Sequence, residues 1–528
     1  MPAQNDQETA KNTSIFSFFT IISRILGLVR DVLKAYAFGT GYLAVAFDIA
    51  FRIPNSLRNL VAEGALAQSF IPIYENSKKK SLETARELAG IIYVFIFLSL
   101  GFFTILAILT IPYIIPYLVH DPLKNENSTL LTINLCQILF PYILFMSLSS
   151  IYMGIQYSHN KFWAPSFGSA LLNIIVIIFF GLYLIFQSKL NSSQETLVYV
   201  FSIITLLGGF IHLVFQGKVV KKLALRPKYV FKIKHPAIKG LFFMMLPAAF
   251  GSAVHEIGQI IDIFLATYLH EEVPGAVSAL TYSHRLLHLP IGVFGAAVST
   301  ASLPQLSRIF ESNNKREFNE SLFNSIGLNL YLLIPAALGL IIFAEPIVGI
   351  IFEYGEFDKT STQITAVALQ YYAVGIPAYG MQKLFISSYY AQKNSKTPAV
   401  ITWIVLFINV ILSIFFMQYI KHAGLAFGSA LAAYFGILIY SIKLRKIKLF
   451  VLDKKQIKNI LTIVFINFIL CLFLLFLNNF TNQFKYYIRL IITIPCALIV
   501  YFLLSKIINL YQWQLFQVII EKVKKKLK

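Results

Sequence analysis

Long apolar runs, separated by short polar or Pro/Gly-containing breaks, recur along the whole chain. They fall at about 14–39, 44–74, 88–118, 129–157, 166–187 and 196–217, then at 239–269, 275–303, 322–352, 363–392, 398–418 and 422–444, with a last pair at 456–478 and 484–506. A spanning helix needs roughly 20 apolar residues, and a helix satisfies its own backbone inside hydrocarbon. The pattern therefore predicts an all-α integral membrane protein of about fourteen transmembrane helices. The longest basic connectors, 218–238 and the stretch around Lys443 to Lys458, suggest how these are grouped. The expected order is an N-terminal segment 1–13, a six-helix N-lobe 14–217, the connector 218–238, a six-helix C-lobe 239–444, a helix pair within 445–506 and a basic amphipathic tail 507–528. A repeat is faintly visible. Gly64-Ala65 precedes Pro72 as Gly295-Ala296 precedes Pro304, with Arg58 and Arg285 at comparable places before them. Repeated six-helix halves are the plan of many alternating-access transporters.

Composition closes off most other classes. Of 528 residues 57% are hydrophobic and 13% charged, against about 25% charged in an average soluble domain, which excludes a water-soluble enzyme. The net charge of +21 is concentrated in alternate loops, among them Lys78–Lys80 with Arg86, Lys218–Lys239 and Lys443–Lys458. The opposite loops are poor in base and partly acidic, as in His270-Glu271-Glu272 and Glu353 to Asp358. Lysine and arginine are retained on the cytoplasmic side, so both termini are expected there and nucleic acid is not expected as a partner. The tail from Tyr511 mixes Trp513, Leu515 and Phe516 with Lys522, Lys524, Lys525, Lys526 and Lys528, which suits either an interfacial helix on anionic phospholipids or a solvated end. Arg24, Arg30 and Asp31 interrupt the first apolar run, unlike the core of a cleaved signal peptide, and that span is expected to be retained. Cys136, Cys471 and Cys496 lie singly in apolar runs and read as packing residues. His284 and His288, four apart with Glu256 as a third ligand, complete no known metal motif, so no metal is expected. There is no Gly-rich phosphate loop, nucleophile elbow or acidic diphosphate motif, and enzyme chemistry is not expected.

The informative residues are the ionisable ones inside spans: Arg24, Arg30 and Asp31 in the first, Asp48, Arg52, Arg58 and Glu63 in the second, Glu256 and Asp262 in the seventh, and Arg285 in the eighth. An arginine at mid-membrane costs roughly 2.5–3.5 kcal/mol on the insertion scale. Such groups should face a water-filled cavity or one another, the alternative being snorkelling anchors or structural ion pairs. Guanidinium suits phosphate because its planar fork makes two parallel charge-assisted hydrogen bonds and never deprotonates. Several arginines in one cavity imply an anionic head group, whereas a transporter of cationic drugs would line its cavity with carboxylates.

The segments Ser23-Arg-Ile-Leu-Gly-Leu-Val-Arg-Asp31, Phe51-Arg-Ile-Pro-Asn55 with Leu57-Arg58, and Ala62-Glu-Gly-Ala65 followed by Gln68-Ser-Phe-Ile-Pro72 resemble the MurJ (MviN) lipid II flippase family. The resemblance continues through Tyr282-Ser-His-Arg-Leu286, Leu289-Pro-Ile-Gly-Val293, Leu303-Pro304, Phe352-Glu-Tyr-Gly-Glu-Phe357, Tyr389-Tyr-Ala391 and His422-Ala-Gly-Leu-Ala426, and so covers essentially the whole chain. It implies the fold of the multidrug/oligosaccharidyl-lipid/polysaccharide exporters, with two six-helix lobes around a cavity and a C-terminal pair forming a groove for a polyprenyl tail. It also implies movement of lipid II, the undecaprenyl-diphosphate-linked peptidoglycan precursor, to the outer leaflet of the bacterial inner membrane, in the company of the cell-wall synthesis machinery. By the same resemblance the substrate-binding arginines are Arg30, Arg58 and Arg285, with Arg24 beside them, and Asp31 and Glu63 are the ion-pair and gate acids. A family cation site would involve Asp262 and Asn409, with Ser413 standing where an acid would complete it. Another family acid aligns with Val45, with Asp48 one turn later, and His284 stands where an acid is common. No cofactor is implied; a monovalent cation (Na+ or H+) and the membrane potential are both open as driving force. The rival readings are a flippase for another polyprenyl-diphosphate-linked oligosaccharide, a membrane transferase acting on the same lipid, and a non-transporting scaffold.

Overall fold

The computed structural model describes residues 2–60, 66–118, 126–190, 193–232, 235–269 and 271–514, and the regular elements among them are all helical. The predicted first span is carried by α1 (Pro2–Phe38) and the second by α2 (Tyr42–Arg58) and α3 (Ala67–Lys78). The third to sixth fall on α4 (Leu82–Leu118), the broken pair α5 (Glu126–Leu139) and α6 (Tyr142–Ser158), α7 (Trp163–Leu190) and α8 (Gln194–Lys222). The seventh is α9 (Pro236–Thr267); the eighth is α10 (Ala276–Pro290) and α11 (Ala296–Glu311), joined by a π-helical turn Ile291–Gly295. Next come α12 (Lys315–Ile342) with α13 (Ala344–Phe352), α14 (Lys359–Val374) with α15 (Ile376–Ala391), α16 (Lys396–Ile420), α17 (His422–Lys446), α18 (Lys454–Thr481) and α19 (Tyr486–Ile507). Ten stretches among the described residues are long and apolar enough to cross a membrane by length and composition alone. The chain is a multi-pass membrane protein.

Local chemistry sets the ends and breaks. Ser193 accepts from the Thr196 amide to start α8, and Asn314 accepts from the Glu317 amide to start α12. Asp453 and Gln456 cap one another reciprocally at the start of α18, so orphan amides of the first turn are satisfied. Pro141 separates α5 from α6. It has no amide hydrogen to continue the ladder.

Contacts divide the chain into two compact units, residues 1–278 with 354–358, and residues 279–353 with 359–528. In the first, α1 packs on α7, α7 and α6 on α8, and α3 on α4, α6 and α9. Its core gathers Phe70, Tyr74, Leu88, Ile92, Ile151 and Ile155. In the second, α16 packs along α17, α11 and α12 on α15, and α18 on α12 and α19. One core there runs from Leu322 and Ile326 through Phe385 and Tyr440 to Ile463, Ile466 and Leu470, so the C-terminal pair shares its buried surface with helices upstream.

The connector 218–238 is an ordered strap in its described residues. Lys228 donates its amide to Arg86 O (2.9 Å), while the Lys228 and Lys232 ammonium groups pair with Glu83 and Glu87, the latter at 2.8 Å. Tyr229 hydrogen bonds Tyr152 (2.7 Å), and its ring meets that of Tyr93 at a tilt with centroids 5.1 Å apart. The strap needs a residue without a side chain beneath it: a Cβ on Gly90 would overlap the Lys228 carbonyl.

A buried ion pair fastens the opposite end of the same unit. Lys34 Nζ lies 2.5 Å from Asp48 Oδ1, with side chains only 5% and 6% exposed, and Ser278 Oγ donates to the other carboxylate oxygen at 2.8 Å. Lys34 is one helical turn beyond Arg30, so the pair sets how α1 and α2 present their arginines. Beside it the chain turns at Gly39, whose φ of +56° is costly for a side-chain-bearing residue, and Glu356 donates its amide to Tyr36 O at 2.9 Å.

Two outcomes are expected. Lys34→Met or Asp48→Leu alone strands a buried charge and lowers stability by about 3–5 kcal/mol, whereas the double substitution recovers most of it, measured as thermal unfolding in detergent. Additive losses in the double variant would refute the pairing. Gly90→Val, by forcing backbone apart, costs more than about 2 kcal/mol and opens residues 226–232 to limited proteolysis; unchanged protection there would mean the strap does not depend on this approach.

Candidate functional site

Arg30 is half-buried on α1 and its guanidinium is fully engaged. Nε and Nη2 donate to Asp31 Oδ1 (3.1 and 2.7 Å), and Nη1 donates to Asn173 Oδ1 on α7 at 3.2 Å. Asn173 is itself fixed by donating to Ser23 O (3.1 Å) and Ser169 O (3.3 Å). Adjacent residues on a helix point about 100° apart, yet the arginine is long enough to fold back onto its neighbour's carboxylate. Arg24, six residues earlier, is exposed. Glu63 lies outside the described residues.

Arg58 occupies the last turn of α2, where residues 59–60 begin a π-helical widening that is seen again at 66. Its Nε donates to Asn55 Oδ1 (3.2 Å) and its Nη2 to Asn59 Oδ1. Amide oxygens of this kind orient a guanidinium without cancelling its charge. Asn59 in turn donates to Glu256 Oε1 at 3.0 Å. One turn and a half earlier, Arg52 donates to Gln259, which meets His255 at 2.8 Å. A polar ladder therefore joins α2 to α9. Glu256 is buried, and its second oxygen, Oε2, has no hydrogen-bond partner. Asp262 lies half-buried farther along α9.

In the second unit Arg285 is half-buried on α10, between two histidines whose Nε2 atoms approach to 3.1 Å. At that distance one imidazole must donate to the other. The His284 ring also meets Tyr372 edge-on at 5.7 Å. Asn409 and Ser413 are brought together: Asn409 Oδ1 accepts from Ser413 Oγ (3.1 Å) and from Ser429 Oγ (3.0 Å). Its carbonyl is thus already occupied by two hydroxyls. Asp262 belongs to the first unit, so within the second only Asn409 and Ser413 of that expected set are grouped.

The second unit also contains an apolar groove of about 400 Å³, lined by Tyr331 and Pro335 of α12, Ile347 of α13, Leu474 of α18, and Leu490 and Tyr501 of α19. Sequence reasoning missed Lys34, Asn173, Asn59 and Gln259 as partners of the intramembrane charges. Lys34 carried a signal, since it sits four residues after Arg30 on the same face; the amides carried none. Fixed guanidinium groups inside apolar helices, together with an apolar groove, are a chemistry for holding an amphiphilic anion.

A family model described as lipid II flippase MurJ matches residues 34–511. A probable lipid II flippase MurJ of Rickettsia prowazekii is 34% identical over 438 residues, covering 82% of this chain and 84% of that protein. The lipid II flippase MurJ of Burkholderia cenocepacia is 30% identical over 439 residues, 81% of this chain and 82% of that one. A solved structure of lipid II flippase MurJ in an inward closed conformation superposes with a TM-score of 0.77 at 29% identity, covering 93% of this chain and 98% of that chain. An inward-facing multidrug resistance transporter of the MATE family shares the fold, with a TM-score of 0.67 at 16% identity over 81% of this chain and 95% of that chain. The helical architecture, the arginines carried inside its spans and the match over residues 34–511 place this chain in the lipid II flippase family MurJ.

Proposed function

We propose that this protein is a lipid II flippase that carries the undecaprenyl-diphosphate-linked precursor from the inner to the outer leaflet of the bacterial cytoplasmic membrane by alternating access. The observation that carries the reading is the family match over residues 34–511, supported by relatives named for this activity along four-fifths of their length. In this reading the lobes are 14–217 and 239–444, the pair within 445–506 takes the polyprenyl tail, and both termini are cytoplasmic, with anionic phospholipids under the basic tail. Arg30, Arg58 and Arg285, helped by Arg24, hold the diphosphate, and Asp31 and Glu63 act at the cytoplasmic gate. The amide partners of Arg30 and Arg58 support this assignment, because they fix the direction of each guanidinium. No step of the cycle makes or breaks a covalent bond.

Driving force enters through charge. A moving guanidinium responds to voltage by about 2.3 kcal/mol per charge per 100 mV, and a bound Na+ or H+ would add an ion gradient. The cell-wall synthesis machinery is the expected consumer of the delivered lipid.

In cells relying on this protein, leaflet-resolved labelling should show lipid II accumulating on the inner leaflet for Arg30→Ala, Arg58→Ala and Arg285→Ala at matched membrane levels, with each arginine worth about tenfold or more in transport. Normal outer-leaflet delivery by the triple variant would sink the assignment. Accumulation of a different polyprenyl-diphosphate-linked oligosaccharide, with lipid II delivered normally, would transfer the mechanism to that substrate.

A further inference from the structure

One basic residue of the second unit stands apart from the proposed diphosphate site and has no carboxylate partner among the described residues. Arg489, one turn into α19, is 7% exposed. Its Nη2 donates to Asn478 Oδ1 of α18 at 2.7 Å, and its buried Nε has no hydrogen-bond partner. No described carboxylate lies within ion-pair distance of it. The acid on neighbouring α13, Glu345, instead accepts from the Tyr486 hydroxyl at 2.9 Å, and Glu353 accepts from Thr362 at 2.7 Å. A buried guanidinium held by a neutral amide is an expensive arrangement unless an anion completes it.

Its position says what that anion is attached to. Asn478 is one turn beyond Leu474, and Arg489 one turn before Thr493; Leu474 and Thr493 both line the apolar groove. The hydrogen bond between Arg489 and Asn478 thus fixes the guanidinium just past one end of the groove, where helical side chains lean toward the start of α19. The far end is lined by Tyr331, Tyr501 and Phe502. The slot is apolar along its length, and one helical turn past one end of it stands Arg489, which makes no ion pair with a described carboxylate. Because α18 starts at the lysine-rich 454–458 end, the flippase topology puts Arg489 on the outer side of the membrane.

We infer that Arg489 and Asn478 form a second lipid-phosphate site, which holds the diphosphate of a polyprenyl lipid on the outer-leaflet side while its tail lies in the groove. A single slot with a single cation fits a one-tailed lipid better than a two-tailed phospholipid. The inference rests on the flippase reading and extends it, because it adds a holding station distinct from Arg30, Arg58 and Arg285.

The test is equilibrium binding to the full-length protein in phosphatidylcholine nanodiscs, with undecaprenyl diphosphate, undecaprenol and phosphatidylglycerol as probes. It uses wild type and a background carrying Arg30→Ala, Arg58→Ala and Arg285→Ala. The background protein should still prefer the diphosphate over the alcohol. Adding Arg489→Gln should reduce that preference about tenfold or more while leaving alcohol binding unchanged. Asn478→Asp offers Arg489 an internal carboxylate in an isosteric frame; it should fold at least as stably and lose the same preference. The inference is overturned if the background shows no preference, if both substitutions leave the preference intact, if alcohol binding falls in parallel, or if phosphatidylglycerol competes as well as the diphosphate. Wild type that fails to distinguish diphosphate from alcohol would remove the flippase reading itself, a different result from a selective wild type with an indifferent Arg489.

Discussion

The structure depends on one constraint: a charge inside hydrocarbon has to be completed by something. Backbone groups meet the same constraint by closing every segment into helix, which leaves side-chain charges as the remaining problem. The chain solves it in graded ways. Lys34 and Asp48 neutralise one another outright, with Ser278 filling the second carboxylate oxygen. Arg30 is shared between a carboxylate and an amide. Arg58 leans on Asn55 and Asn59. An amide oxygen orients a guanidinium without cancelling its charge.

Backbone proximity is the second determinant, and it is set by small residues. The strap at 226–232 lies against α4 because Gly90 leaves room for the Lys228 carbonyl. Its basic residues consequently do two jobs. They favour a cytoplasmic loop during insertion, and two of them then pair with Glu83 and Glu87 in the folded protein. In the second unit Gly428 lets α17 come close to Ser413 on α16, which is how Ser413 and Ser429 reach the same Asn409 oxygen. Close helix approach through small residues is the usual means of packing when lipid supplies no hydrophobic drive between helices.

The C-terminal pair gains its significance from the core it shares. Ile463, Ile466 and Leu470 pack into the same cluster as Leu322 and Ile326, so the groove between α12, α13, α18 and α19 has rigid walls. A slot of fixed width ending at a buried guanidinium discriminates on both chain and head group, because misplacing either leaves an apolar surface wet or a cation bare.

The sequence by itself determined that the chain is a helical membrane protein, where its spans fall, and that charges such as those at Arg30, Asp31, Arg58 and Arg285 are unusual enough to matter. These are one-dimensional properties: run length, loop charge and the cost of an ionisable residue in an apolar run are all local. Motif resemblance added the family, which the comparisons then established. What only the tertiary structure decided is which charges are completed and by what. Lys34 and Asp48 are fourteen residues apart and on different helices, Asn173 reaches Arg30 across 143 positions, and Asn59 finds Glu256 across 197. Arg489 is conspicuous only once Glu345 and Glu353 are seen to be engaged elsewhere. Spans can be read from the sequence because hydrophobicity sums along a chain, whereas compensation cannot, because hydrogen bonds and ion pairs act over about 3 Å and depend on which helix faces share that distance.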